Sequence, residues 1–521
     1  MQLSNYKRYL FYLIAISTVI RCLIAYTLEL GGEEAYYWTF ALYPKLSHLD
    51  QPPMIGWLIQ LFTNNLSLNG EFFTRSVSIF IGSLNTWIVF VLGRRMKNEK
   101  AGLYAAILYT TSIYCSIITG AFVTPDAPQS LFILLSIYFF HEGFITKYED
   151  NEETRTLSST ALIMAGVFVG FALLSKFSSA LIWLGVFIYL VLFDRRFLKK
   201  PQLYISVIIS LLILSPVIIW NIKYNFIGFR YIDKVALAFA DSTVLENITT
   251  EFVRQIIYNN PVNIVVVFVA LFSFKRAKYL KNSQYKLLLS LSVSFLLFGL
   301  ISLGFFPLIM LTGAYLESKY HHRTRMKLPK ALKNSIYAAS VIVLVGLAQL
   351  YGGILNFETK KSPETKIGTN DVTIDRFGWR KLSKEFKKLR DLDVALGNIS
   401  EHAYIISNNY LSAAHYDYYL ANPNKIFVKT IGKIIETRKY AFTTQESGGF
   451  KIGENAYYIE SSRDSISGII IGHSYFDRVE IAETIYIHRL KKPVVRYTIY
   501  RFKELNAIPP KELSSVPVIY K

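Results

Sequence analysis

The chain has 521 residues, of which 52% are hydrophobic, 15% aromatic and only 18% charged, and its mean hydropathy of +0.31 excludes an ordinary soluble protein of this size. The formal net charge of +20 does not read as nucleic-acid binding. Its Lys and Arg residues concentrate in short connections between long apolar runs, the pattern of cytoplasmic loops beside anionic membrane lipids. Cys22 and Cys115, the only cysteines, both lie in apolar runs, so they offer no disulfide framework and no metal-ligand spacing.

Lys7 and Arg8 precede an apolar stretch that continues to about Leu30 without a small-residue cleavage site, which predicts a retained first span and not a signal peptide. About eleven spans are predicted, near 9–29, 76–93, 102–120, 128–145, 158–174, 177–193, 203–220, 261–274, 286–301, 303–317 and 335–354. Alternate connections carry about twenty-three positive residues against roughly seven in the others, which puts the N-terminus inside. An odd number of spans then places everything beyond residue 355 outside the cytoplasm. The expected architecture is a polytopic α-helical membrane domain over 1–355 followed by a small soluble α/β domain over 356–521.

Two external connections are long, 30–75 and 221–260. In the first, Pro52-Pro53 opens Met54-Ile55-Gly56-Trp57-Leu58-Ile59, a helix start too short to span and suited to lie along the membrane surface. Beyond a polar linker from Thr359 to Asn370, Trp379, Leu382, Phe386 and Leu389 recur at helical spacing. Strand-like runs follow at 403–407, 425–429, 456–460, 467–471, 479–487 and 494–502. No internal repeat and no nucleotide-binding glycine pattern is present.

Glu33 and Glu34 directly follow the first span, and Asp126 lies in Thr124-Pro125-Asp126-Ala127-Pro128 between the third and fourth, on the same membrane face. A carboxylate there can serve as a general base tuned by partial burial, or be a solvated loop acid. Lys176, at the external turn between the fifth and sixth spans, either meets an anion such as phosphate or snorkels to the interface. Arg75 and Arg230 are further cationic candidates. Tyr36, Tyr37 and Trp38 can stack on sugar rings or sit in an interfacial aromatic belt. His48 and His321-His322 show no metal spacing and read as structural.

Gly32-Glu33-Glu34-Ala35-Tyr36-Tyr37-Trp38 resembles the Gly-Asp-Glu-Ala-Tyr-Tyr-Trp first-loop motif of bacterial family 39 glycosyltransferases, the GT-C class that includes protein O-mannosyltransferases and aminoarabinose transferases. Leu49-Asp50-Gln51-Pro52-Pro53 resembles their Asp-His-Pro-Pro segment. Glu71, Arg75, Thr124-Pro125-Asp126-Ala127-Pro128, Gly170-Phe171-Ala172-Leu173-Leu174-Ser175-Lys176-Phe177 and Ser215-Pro216-Val217-Ile218-Ile219-Trp220-Asn221 follow in the family's order. The resemblance covers roughly residues 1–235. It implies an inverting sugar transfer from a polyprenyl-phosphate-linked donor to an extracytoplasmic acceptor, at the bacterial inner membrane.

In that scheme Glu33 is the base, and Glu34 and Asp126 orient substrates or hold a divalent cation in members that use one. Lys176, with Arg75 or Arg230, offsets charge on the departing phosphate. Asp50, Tyr37 and Asn221 complete the expected substrate-binding set. Two departures stand out: Glu at position 33 where Asp is usual, and Gln51 where His is common. A His-Trp-Pro-like pattern is absent from the later external loops, where Gly304-Phe305-Phe306-Pro307 is the nearest substitute. A transporter would favour inverted repeats and matched broken helices, which are not found. An inactive assembly subunit is the remaining alternative.

Overall fold

The computed structural model describes residues 5–145, 152–231, 244–321, 328–355, 367–464 and 468–510. The chain forms two compact units, and residues Thr27–Asp50 group with the C-terminal region, as the sequence does not reveal.

The first unit (Met1–Tyr26, Gln51–Trp220, Ala238–Val343) is a helical bundle. Every predicted apolar run falls on a helix or a pair of helices. Length and apolarity together qualify five of them to cross a membrane: Asn5–Thr27, Glu71–Met96, Ser158–Ser175, Ile301–Lys319 and Lys330–Gly352. Counting the bent pairs Pro201–Ile213 with Ser215–Lys223 (48°) and Val253–Asn259 with Pro261–Ala277 (87°) raises the number to seven. The count of about eleven is therefore not established. Helices such as Glu99–Thr111, with 13 residues, and Asn282–Leu296, with 15, are short for a hydrocarbon layer about 30 Å thick at 1.5 Å per residue.

Local chemistry sets the bundle. Asn98 caps Glu99–Thr111 by accepting the Ala101 N–H at 3.0 Å. Gly93 and Gly102 then let that helix lie against Glu71–Met96, since a Cβ on Gly93 would stand 2.7 Å from the Gly102 Cα. Asn5–Thr27 turns Phe11, Ile16, Val19 and Leu23 outward as a lipid-suited face. Its Arg21 is buried, with Nε donating to the Ser116 carbonyl at 3.1 Å between Gly82 and Gly120. Met54–Phe62 is the short helix predicted after Pro52-Pro53. Gly304-Phe305-Phe306-Pro307 lies buried inside the helix Ile301–Lys319, so it belongs to no loop.

The second unit (Thr27–Asp50, Asn221–Leu237, Leu344–Lys521) holds a five-stranded mixed sheet. Its strands are β1 Tyr404–Ser407, β2 Val428–Thr430, β3 Ala456–Ser461, β4 Phe476–Arg489 and β5 Lys492–Leu505, in the order β2-β1-β3-β5-β4. β2, β1 and β3 run parallel, in the register Ile405 with Val428 and Tyr404 with Ala456. β5 is antiparallel to β3 and forms a hairpin with β4 that closes at Arg489 opposite Lys492. The amphipathic helix Trp379–Ala395 buries Trp379, Leu382, Phe386 and Leu389, as their spacing predicts. The linker from Thr359 to Lys366 lies outside the described residues.

One predicted strand is wrong. Of the run 467–471, residue 467 lies outside the described residues and 468–471 sit in a helix, Gly468–Tyr475. Its β-branched residues suggested a strand, but Gly468 and Gly472, one turn apart, lie on one face against the sheet. A Cβ on Gly468 would stand 2.7 Å from the Tyr458 ring, and one on Gly472 would stand 2.5 Å from Val479. Helix-to-sheet contact this close overrides strand propensity.

Candidate active site

The adjacent glutamates of the first loop have opposite fates. Helix Gly32–Leu42 starts at Gly31, whose N–H donates to the Glu34 carboxylate at 3.2 Å. Glu34 is wholly buried and pairs with Arg376 at 3.3 Å. The Gly32 N–H donates to Asp375 at 3.0 Å, the Leu30 N–H donates to the Tyr419 hydroxyl at 2.7 Å, and the His415 Nε2 lies 3.0 Å from the Leu30 carbonyl. A Cβ added at Gly31 would stand 2.7 Å from the Arg376 Cζ, so a larger residue would push the Arg376 side chain from its place. The loop's entry is thus bolted to residues some 340–390 positions later in the chain.

Glu33, held at the start of the same helix, is exposed. One turn on, Tyr37 hydrogen-bonds its carboxylate, and the Tyr410 hydroxyl donates to it at 3.4 Å. The surrounding protein pushes the Glu33 carboxyl above the ordinary glutamate range. Arg438 and the two tyrosines oppose that push, and Asp50 adds to it. Water at the exposed side chain limits the shift.

Asp50 accepts from the Tyr36 hydroxyl at 2.9 Å and from Arg438 Nη1 at 2.8 Å. The Arg438 guanidinium lies 3.8 Å from the centre of the Tyr410 ring. Arg438 adopts φ 49°, ψ −126°, a backbone geometry that costs a non-glycine residue on the order of 1–3 kcal/mol and persists only where its surroundings impose it. Tyr410 and Arg438 follow the carboxyl ends of β1 and β2, the edge where parallel sheets commonly place ligand-contacting loops. Beneath them the Lys439 Nζ donates to the Thr39 carbonyl at 2.7 Å, and Tyr440 donates to Asp417 at 2.8 Å. Burial raises the Asp417 carboxyl to about 7 and drives the Lys439 ammonium well below its usual value.

Asn221 and Arg230 belong to the same unit. Asn221 is buried and crowds Gly228, where an added Cβ would stand 2.9 Å from its Oδ1, and Arg230 is exposed. His48 is buried and stacked 3.6 Å from the Phe40 ring, a structural residue as expected.

In the first unit, Lys176 Nζ lies 3.0 Å from both Asp126 carboxylate oxygens, and the Tyr114 hydroxyl donates to Asp126 at 2.7 Å. Arg75 is buried, donates to the Ala25 carbonyl at 3.0 Å and lies over the Phe122 ring. Among the described residues, no group of three or more His, Cys, Asp or Glu side chains is arranged to hold a metal ion. With Asp126 on a lysine and Glu34 on an arginine, these two acids do not fit a cation.

Tyr410, Arg376 and Arg438 are not singled out by the sequence. The usable signal lay in the C-terminal region, where strand-like runs end just before Tyr410 and Arg438.

Comparison with known proteins bears on the whole chain. The family described as Dolichyl-phosphate-mannose-protein mannosyltransferase matches residues 50–220. Lipid A galacturonosyltransferase RgtD of Rhizobium johnstonii is 22% identical over 204 residues, 39% of this chain and 41% of that protein. An uncharacterized protein of Aquifex aeolicus is 24% identical over 185 residues, 35% of this chain and 34% of its own. The chain thus matches less than half the length of either relative. ArnT from Cupriavidus metallidurans, in the apo state, superposes with a TM-score of 0.59 at 13% identity, covering 96% of this chain and 98% of that one. Its structure bound to undecaprenyl phosphate gives 0.58 at 12% identity, covering 96% and 99%. The chain thus has the fold of ArnT along nearly its whole length, and its residues 50–220 are similar to the mannosyltransferase family.

Proposed function

We propose that the protein moves a sugar from a polyprenyl-phosphate carrier to a hydroxyl of an acceptor on the external face of a bacterial inner membrane, with Glu33 as general base. The observation that supports this most is the split between the two glutamates. Glu34 is consumed in fixing the helix start, while Glu33 stays exposed, its carboxyl raised above the ordinary glutamate range and oriented by two tyrosines. A base poised in this way suits proton abstraction from a hydroxyl. Glu33 takes the acceptor proton as the acceptor oxygen bonds to the anomeric carbon. The bond from that carbon to the carrier phosphate oxygen breaks with inversion, and its electron pair leaves with the polyprenyl phosphate.

The carrier is suggested by the undecaprenyl phosphate bound in ArnT and by the dolichyl-phosphate-mannose in the description of the matching family. On this reading Lys176 shares its charge between Asp126 and the donor phosphate, and Asp126 holds the lysine in place. Asp50 positions Arg438. Arg75 braces the outer ends of the helices, which leaves phosphate contact to Lys176.

The test is release of free polyprenyl phosphate from a labelled lipid-linked sugar by the purified protein. Glu33→Gln should lower turnover by roughly 10²–10⁴-fold while donor still binds. Glu33→Asp, which shortens the base by a methylene, should also lose activity if the site is built around the longer acid. Near-normal turnover by Glu33→Gln sinks the assignment, and absence of release by the wild type points to a transporter or an assembly subunit.

A further inference from the structure

Lys330–Gly352 is the last candidate span, and at 1.5 Å per residue its 23 residues cover about 34 Å, enough to cross the hydrocarbon layer. If this helix crosses the layer, Gly352 stands at a membrane boundary. The chain leaves the helix through Gly353, at φ 60°, whose N–H donates to the Gln349 carbonyl at 2.9 Å.

The β4–β5 hairpin tip is fixed at that spot. Arg489 packs on Gly353, where an added Cβ would stand 3.1 Å from the Arg489 Cδ. Arg489 Nη1 and Gln349 Nε2 both donate to Asp371 Oδ2, at 2.6 and 3.1 Å. Between these groups lies a cavity of about 230 Å³ lined by Gly353, Leu355, Asp371, Arg489, Lys492 and Pro493. Asp371 neutralises Arg489, but the buried Arg489 Nε has no hydrogen-bond partner, and Lys492 has no carboxylate partner among the described residues. The tip itself is Leu490-Lys491. Leu490 is 81% exposed and occupies a left-handed turn position, φ 55°, that normally falls to glycine or asparagine. Ile354 and Leu355 add exposed apolar surface beside the span's end.

We propose that this hairpin tip is a membrane anchor that binds the phosphate of an anionic lipid headgroup. Leu490 enters the interfacial layer, Lys491 and Lys492 face the headgroup charge, and the cavity at Arg489 receives a phosphate oxygen. An exposed apolar side chain flanked by lysines is the composition that holds a segment at a charged bilayer surface, and each lysine adds an attraction that screening confines to the surface. The boundary position of Gly352 identifies the occupant as a lipid and not a soluble partner. This inference is independent of the proposed transfer reaction.

The experiment uses the full chain with Cys22→Ala and Cys115→Ala, and Leu490→Cys labelled with an environment-sensitive fluorophore. The protein is reconstituted in nanodiscs of phosphatidylcholine alone or with phosphatidylglycerol. In the mixed discs, blue-shifted emission and quenching by a nitroxide near the headgroup are expected. Lys491→Glu with Lys492→Glu should return the emission to that of water, and soluble phosphate should leave it unchanged. The same label at Ile452→Cys, exposed beside the Leu505 end of β5 and about 40 Å along the strand from Lys492, should stay water-like throughout. Water-like emission at 490 in both discs, equal behaviour with and without phosphatidylglycerol, displacement by soluble phosphate, or an equal signal at 452 would each overturn the proposal.

Discussion

Replacing Arg438 by Met separates the two tasks this residue performs. The Asp50 carboxyl is only 6% exposed and Arg438 25%, so the pair is largely withdrawn from water. Stranding a buried carboxylate costs about 3–5 kcal/mol, and partial exposure of the arginine lowers this to about 2–4. Loss of the stacking on Tyr410 adds about 1 kcal/mol. Arg438→Met should therefore destabilise the protein by about 3–5 kcal/mol in denaturant unfolding in detergent, and Asp50→Asn in the same chain should recover most of it. Activity should respond separately. Arg438 is the leading influence holding the Glu33 carboxyl down, so its removal lets that carboxyl rise. A base works only when deprotonated, so the acid limb of the kcat/KM–pH profile should move to higher pH. Asp50 pushes Glu33 the other way, so the double variant should bring the limb back toward the wild type. Stability within about 0.5 kcal/mol of wild type in the single variant would refute the argument for the pair. Loss of stability with an unmoved or lowered acid limb would refute Glu33 as the titrating base.

Lys176→Met should strand Asp126 and lower stability, and adding Asp126→Asn should restore the fold. Wild-type donor affinity in that double variant would end the phosphate-binding role of Lys176. Asp417, raised to about 7 from an unfolded value near 3.9, contributes stability that is full below about pH 4 and is lost as pH rises to about 7. Lys439 beside it carries the opposite sign. The difference between Asp417→Asn and wild type should therefore change by a few kcal/mol across that window, and parallel pH–stability curves would refute the assignment. A reporter fused after Gly453 should be active only if it functions in the periplasm, and cytoplasmic activity would overturn the predicted orientation.

What could be read from the sequence divides by range. Apolar runs carry their own length and period, so each marks a helix, although the 13-residue Glu99–Thr111 shows that an apolar run of about twenty residues need not be one straight helix. Trp379, Leu382, Phe386 and Leu389 announce their helix because periodicity is local. The run at 467–471 misled because its helical form depends on Gly468 and Gly472 fitting against Tyr458 and Phe502, contacts invisible along the chain. The candidate site splits the same way. Glu33, Tyr37 and Asp50 lie within one short stretch, but Tyr410 and Arg438 reach it from loops 377 and 388 positions away. Asn221 and Arg230 are further candidates for substrate contact. Asn221 is buried against Gly228, and Arg230 stands exposed.

The bolting of Leu30, Gly31 and Gly32 to Tyr419, Arg376 and Asp375 means that the C-terminal region is not an interchangeable module. A chimera cut near residue 355 would hand the first loop a foreign set of partners. Glu34 would then lose its Arg376 counter-charge, and Asp50 would lose Arg438. Grafts between relatives should therefore carry residues 27–50 together with 344–521 as one inheritance unit. By the same logic, substitutions in the two segments should be accepted in pairs more readily than singly.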